Sequence, residues 1–229
     1  MRVARQNYPD RGTQARSLAS VVADQLRAAL ATKHRATLAV PGGTTPAAFL
    51  RALSEADLDW RQEDVLLTDE RMVLESNSRS NAHLLRETLL QGHAADAHLV
   101  HYYAAGGGIE LVLDVARNRV EAVLPIDVAV LGMGADMHTA SLFPDAPGLA
   151  EALAEDAPVL VPVEPPSQPE ARLTLSAAVL RQASVIHILI AGPDKAAALE
   201  RALRDGPVTE APVRAVLAAP APVTVHYAD

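Results

Sequence analysis

Asp136 and His138 stand two residues apart in a glycine-bearing stretch, Gly132-Met133-Gly134-Ala135-Asp136-Met137-His138, directly after the unbroken apolar run Val128-Ala129-Val130-Leu131. An imidazole has a reference pKa of about 6.5, so near pH 7 it is largely neutral and able to take a proton from water. A carboxylate beside it can orient the ring or share the proton work. The chain has no cysteine and no G-x-S-x-G elbow, so the usual signposts of a covalent acyl-enzyme are missing. A second chemical stretch, Pro41-Gly42-Gly43-Thr44-Thr45-Pro46, follows the apolar run Ala36 to Val40 and precedes a helical pattern. Strand, glycine turn and helix form a phosphate-binding arrangement, because free backbone N–H groups and the helix dipole point at the anion. Such turns also serve as plain connectors. Thr68-Asp69-Glu70-Arg71 and Ser80-Asn81 add charged and polar groups, and clusters of this kind are ordinarily just solvated. Lys195 stands out because the chain has only one other lysine, Lys33.

The elements that must hold these residues can be read from hydrophobic periodicity. Val128 to Leu131 shows no alternation, which suits a strand buried on both faces of a parallel sheet. Further strands are expected at Ala36 to Val40, Val65 to Thr68, around Leu99 to Tyr103, Val159 to Val163, Val185 to Ala191 and Val223 to His226. Helices are expected over Thr13 to Ala31, Ala47 to Leu53, the stretch through Leu84, Leu85, Leu89 and Leu90, from Gly106-Gly107-Gly108 to about Val123, and Ala196 to Leu203. Shorter helices should follow Ser176 and Pro212. The alternation of strand and helix implies an α/β fold with a mainly parallel sheet. Ligands bind beyond the carboxyl ends of such strands, which is where Asp136 and His138 fall.

With 229 residues and 49% hydrophobic content the chain can bury a sizeable core, and a single domain over 1-229 is the simplest organisation. A net charge of -8 without a basic run argues against a nucleic-acid surface. The absence of cysteine fits a reducing compartment, the N-terminal segment lacks the apolar core of a secretory signal, and no run approaches a membrane span. A cytoplasmic protein is expected, with no membrane partner. His93, His98 and His101 are close in sequence, but their spacing matches no common zinc site and no metal is expected. His187, set among Ile186, Ile188 and Leu189, reads as a satisfied core histidine. Gly132-x-Gly134 after a strand could open a dinucleotide fingerprint, but Met137 occupies the third glycine position and Pro144 leaves little room for the long helix required.

The stretch from Gly132 to Pro144, GMGADMHTASLFP, resembles the signature loop of the 6-phosphogluconolactonases, G-M-G-x-D-G-H-T-A-S-L-F-P, with Met137 in place of a glycine. The resemblance extends in order along most of the chain. Gly42 to Pro46 is similar to the family's G-G-S-T-P phosphate loop, Thr68 to Arg71 to T-D-E-R, Ser80-Asn81 to S-N, Arg172-x-Thr174 to an element near the cleft, and Gly192 to Lys195 to G-x-x-K. It implies a Rossmann-like α/β/α sandwich, hydrolysis of 6-phospho-D-glucono-1,5-lactone, and a phosphosugar lactone as partner. It implies His138 and Asp136 as catalytic. Gly42, Gly43, Thr44, Thr45, Arg71, Arg172 and Lys195 would bind substrate and its phosphate. Asp69, Glu70, Ser80, Asn81, Gly132 and Gly134 would support the loops. A lactone is an activated ester, so no cofactor is called for. A monomer or weak homodimer is expected. Two alternatives remain open. A glucosamine-6-phosphate deaminase would share the fold but continues H-x-A-F-N-E-P where this chain has His138-Thr139-Ala140-Ser141-Leu142-Phe143-Pro144. A non-catalytic sugar-phosphate sensor is suggested by Met137, whose thioether could strain the loop or block the attacking water.

Overall fold

The computed structural model describes residues 3–102, 109–166 and 168–229; Tyr103 and Gly106-Gly107-Gly108 therefore lie outside it. The elements run β1 (Val3–Asn7), α1 (Arg11–Leu30), β2 (Ala36–Val40), α2 (Ala47–Ser54), β3 (Glu63–Leu67), β4 (Asp69–Arg71), α3 (Asn81–Thr88), β5 (His98–Leu99) and α4 (Ile109–Glu121). They continue with β6 (Val128–Gly132), α5 (Leu149–Leu153), β7 (Leu160–Val163), β8 (Arg172–Leu175), α6 (Ala177–Arg181), β9 (Val185–Ala191), α7 (Pro193–Ala202), α8 (Val213–Leu217) and β10 (Val223–Ala228). Seven strands form one sheet in the order β1-β10-β9-β6-β2-β3-β5, and every pair in it is parallel. Helices flank this sheet, giving the expected Rossmann-like α/β/α sandwich.

The central strands explain themselves. All five residues of β2 are buried, as are Val128 to Leu131 of β6 and Ile186 to Ile190 of β9, so each strand contributes apolar side chains to both faces. Full burial of each such Val, Leu or Ile is worth about 1.5–3 kcal/mol relative to exposure. Helix α1 begins where the Asp10 carboxylate accepts the Thr13 N–H at 2.7 Å, a side-chain cap for an otherwise orphaned donor. Leu18, Val22 and Leu26 of α1 are fully buried. Helix α7 starts at Pro193, three residues before the sequence pattern placed it; Gly192 turns the chain at φ +87° and proline tolerates the first helical position.

Three strands, β1, β4 and β8, and the sheet that holds the last two escaped the sequence pattern. β1 is a short, largely exposed edge strand of mixed residues, VARQN, aligned with β10 through Val3 opposite Val223. β4 has only the residues Asp69, Glu70 and Arg71, and it pairs antiparallel with β8, which pairs in turn with β7. This second, three-stranded sheet has no hydrophobic run to announce it at β4. Arg172 to Leu175 is its central strand.

Two sets of buried titratable groups lie outside the cavity described below. His187 of β9 and His226 of β10 face each other at 3.0 Å, His187 reaches Gln25 at 2.8 Å and His226 reaches Tyr8 at 2.8 Å. Burial lowers their pKa values to about 3 and about 4, so both rings are neutral. Glu63, at the opposite end of β3 from Asp69, is fully buried, and neither carboxyl oxygen has a hydrogen-bond partner among the described residues. Burial, reinforced by Asp127 and Asp64, raises its pKa from 4.5 to about 8. The folded chain therefore holds a proton that the unfolded chain releases. Stability from this group is complete below pH 4.5 and is lost as pH rises toward 8. At about 1.4 kcal/mol per pH unit, the loss at pH 7 is on the order of 3 kcal/mol. Glu63→Gln is expected to raise the thermal midpoint by several degrees at pH 7.5 and hardly at all at pH 4.5. Equal gains at both pH values in a melting series would contradict this account.

Candidate active site

Chain connections diverge between β2 and β6: β3 lies beyond β2, and β9 beyond β6. At such a switch point the loops leaving the carboxyl ends of adjacent strands part and leave a crevice. A cavity of about 260 Å³ occupies it, lined by the loop after β2, the start of the loop after β6, and the junction of β9 with α7. Arg71 of β4 and Arg172 of β8 close it from the second sheet.

The loop after β6 is a tight turn built for His138. The Gly134 N–H donates to the His138 carbonyl at 2.9 Å, the Met137 N–H to the Gly134 carbonyl at 3.0 Å, and the Thr139 hydroxyl to the Gly132 carbonyl at 2.8 Å. Asp136 Oδ1 lies 2.5 Å from His138 Nδ1 and also accepts the His138 N–H at 3.2 Å. With Nδ1 bound to a carboxylate, the proton belongs there and the Nε2 lone pair is free. Burial pushes the Asp136 carboxyl up, but the hydrogen bond and charge of His138 outweigh it and the net shift is downward. Gly134 is required by this packing: a Cβ on it would stand 2.1 Å from His138 Nδ1 and 2.2 Å from Asp136 Oδ1. A Cβ on Gly132 would meet nothing within 4 Å, so its place in the loop does not depend on lacking a side chain.

Three cationic side chains reach the same cavity. Arg71 and Arg172 are direct cross-strand neighbours, an arrangement that like charges disfavour. The Nε atom of each is buried without a hydrogen-bond partner among the described residues. Arg172 is 6% exposed; burial lowers its pKa, and Arg71 adds to the effect against the pull of Asp69. Its other nitrogens lie 3.5 Å from Asp69 Oδ2 and 3.1 Å from Gln168 Oε1. A bound anion would relieve the repulsion. Lys195, in the first turn of α7, donates to the Met133 carbonyl, and burial lowers its pKa despite Asp136. Gly42, Gly43, Thr44 and Thr45 form the opposite wall. A Cβ on Gly42 would fall 2.0 Å from Asn81 Oδ1, so a glycine is needed there for the loop to pass Asn81, and Gly43 turns the chain at φ +96°. The two threonines are exposed.

Glu70 and Asp69 tie these parts together. The Glu70 carboxylate accepts the backbone N–H groups of Arg71, Asn81 and Ala82, each at 2.7 Å, and the Ser80 hydroxyl at 3.0 Å. It thereby fixes β4 against the N-terminus of α3, although burial pushes its pKa up. Asn81 donates to the Asp69 carbonyl at 2.8 Å. Asp69 Oδ2 accepts the Ser141 hydroxyl at 2.6 Å, linking the second sheet to the His138 loop. Ser141, Phe143 and Gln168 were not singled out from sequence; for the first two, the only available signal was their place in the Gly132 to Pro144 stretch.

A family model described as glucosamine-6-phosphate isomerases/6-phosphogluconolactonase matches residues 9–225. The chain belongs to this family. A 6-phosphogluconolactonase from Pseudomonas aeruginosa is 47% identical over 93% of this chain and 90% of its own. One from Mesorhizobium japonicum is 46% identical over 96% of this chain and 93% of its own. The crystal structure of a 6-phosphogluconolactonase from Shewanella baltica superposes with a TM-score of 0.95 at 33% identity, covering 100% of this chain and 98% of the other. Met137 has φ +67°, a left-handed conformation for which a glycine is suited. Its side chain packs against the main hydrophobic cluster and is not among the residues lining the cavity. The strain is present; the steric blockage is not.

Among the described residues, no helix is long and apolar enough to cross a membrane, and no group of three or more His, Cys, Asp or Glu could hold a metal ion. His98 is hydrogen-bonded to Asp64 at 2.7 Å, and His101 lies between Glu75 and Arg86.

Proposed function

We propose that this chain hydrolyses 6-phospho-D-glucono-1,5-lactone to 6-phospho-D-gluconate in the oxidative pentose phosphate pathway, by general-base activation of water and without a cofactor. The observation that carries the proposal is the Asp136-held imidazole of His138 in one cavity with Arg71, Arg172 and Lys195. The names and high identity of the Pseudomonas and Mesorhizobium relatives support it. In this reading His138 Nε2 takes a proton from a water as that water attacks the lactone carbonyl. Attack gives a tetrahedral oxyanion, charge that the ground state lacks and that the site must stabilise. The ring C–O bond then breaks, and the protonated imidazole returns its proton to the departing ring oxygen, which becomes a hydroxyl. Gly42, Gly43, Thr44 and Thr45, with Arg71, Arg172 and Lys195, hold the phosphate as an anchor. Asp69, Glu70, Ser80, Asn81, Gly132 and Gly134 keep the two loops and the second sheet in place. The protein acts in the cytoplasm as a single domain, monomer or weak homodimer, on a small phosphosugar without nucleic-acid or membrane partners.

Offering the purified protein the lactone and glucosamine 6-phosphate in parallel distinguishes this reading from the deaminase. Acid release from the lactone with no ammonia from the amino sugar is expected; ammonia release would overturn the proposal. Met137 adds about 1 kcal/mol of left-handed strain but leaves the cavity open, so Met137→Gly is expected to change kcat/KM by no more than about tenfold, near 1.4 kcal/mol in barrier. An inert wild type with activity restored in Met137→Gly would favour the sensor instead.

A further inference from the structure

Asp136 fixes His138 at one ring nitrogen. A single hydrogen bond holds a point and leaves the imidazole free to swing about that contact, so a second surface must set the plane of the ring. Phe143 offers that surface. Its ring centroid is 4.4 Å from that of His138, with the planes 34° apart, a close contact at the near edge of the range favoured by aromatic pairs. Phe143 is itself anchored away from the main core: it is 6% exposed and forms a small separate cluster with Ala146 and with Val163 of β7. The Arg172 guanidinium carbon lies 5.9 Å from the Phe143 centroid, close enough for cation–π attraction. Phe143 therefore touches both the imidazole and a guanidinium of the proposed anion site, and both it and His138 line the cavity.

We propose that Phe143 is a positioning residue: it sets the plane of the His138 imidazole and transmits to it the position of the second sheet. The proposal rests on the reading of His138 as general base. An ångström of misplacement at a reacting group can cost about 10²-fold, whereas loss of the ring face beside Arg172 leaves that guanidinium's charge in the anion site. Phe143→Leu keeps the apolar volume in the cluster but removes the flat face. It is expected to lower kcat by about 10- to 100-fold with KM changed by less than about threefold, and Phe143→Tyr, which keeps the ring, is expected to recover most of the loss. Aromatic proton–carbon spectra of His138 supply a readout independent of turnover. In wild type the ring resonances should be sharp and shifted by the Phe143 ring current; in Phe143→Leu they should move toward free-histidine positions and broaden. Unchanged His138 resonances in Phe143→Leu would overturn the proposal, whatever the activity. So would kcat within twofold of wild type on the lactone, or a loss that Phe143→Tyr does not recover. A wild type without lactonase activity but with the expected resonance changes would refute the general-base reading and leave the positioning contact standing.

Discussion

Replacing His138 with alanine or asparagine is expected to lower kcat on the phosphorylated lactone by about 10²- to 10⁴-fold, the usual contribution of a positioned general base. The loop should survive the change. Its turn is closed by backbone bonds between Gly134 and His138 and between Met137 and Gly134, and by the Thr139 hydroxyl on the Gly132 carbonyl, none of which uses the imidazole. Circular dichroism and the thermal midpoint should therefore stay near wild type while turnover collapses. Asparagine is the more demanding test, since it keeps a polar group near Asp136 but cannot take up the proton. A folded His138→Asn protein with near-normal kcat would remove the base from the mechanism.

Arg71→Ala and Arg172→Ala should each reduce kcat/KM for the phosphorylated lactone by roughly 10- to 150-fold, the equivalent of about 1.5 to 3 kcal/mol for a charge-assisted hydrogen bond. Unphosphorylated gluconolactone should be almost indifferent to either change. The Arg71 guanidinium also donates to Asn81 at 3.2 Å, a contact that serves the loop rather than the anion. Comparing the two lactones separates these contributions. Equal losses on both substrates would assign the pair to holding the loops or to the chemical step. The pairing predicts something further. Since Arg71 and Arg172 repel across β4 and β8, inorganic phosphate should raise the thermal midpoint of wild type, and should do so less in either variant.

The parts of this protein that were legible in the sequence are those whose meaning is local. Val128 to Leu131 and Ala36 to Val40 read as buried parallel strands because an unbroken apolar run has few other uses. Asp136 and His138 sit in one turn, so their spacing alone foretold that they would meet. The same was true of Gly42 and Gly43, where a glycine turn leads into a helix. What stayed hidden depends on contacts between distant segments. The three charged residues of β4 form a strand only because β8 offers a partner, and nothing in Asp69-Glu70-Arg71 reveals that Arg71 will lie opposite Arg172. Ser141 and Phe143 carry no chemical signal by type; one matters for the Asp69 carboxylate it meets and the other for the imidazole it faces. Met137 was legible as a source of strain but not as harmless to the cavity, since the direction of its side chain is set by the core it packs against.

The most direct measurement is the decay of 6-phospho-D-glucono-1,5-lactone followed with and without the purified wild-type chain, because the lactone also hydrolyses unaided. The account predicts a protein-dependent rate that is proportional to enzyme concentration, saturates with substrate and is undiminished by metal chelators. Decay indistinguishable from the spontaneous rate at micromolar protein would contradict it.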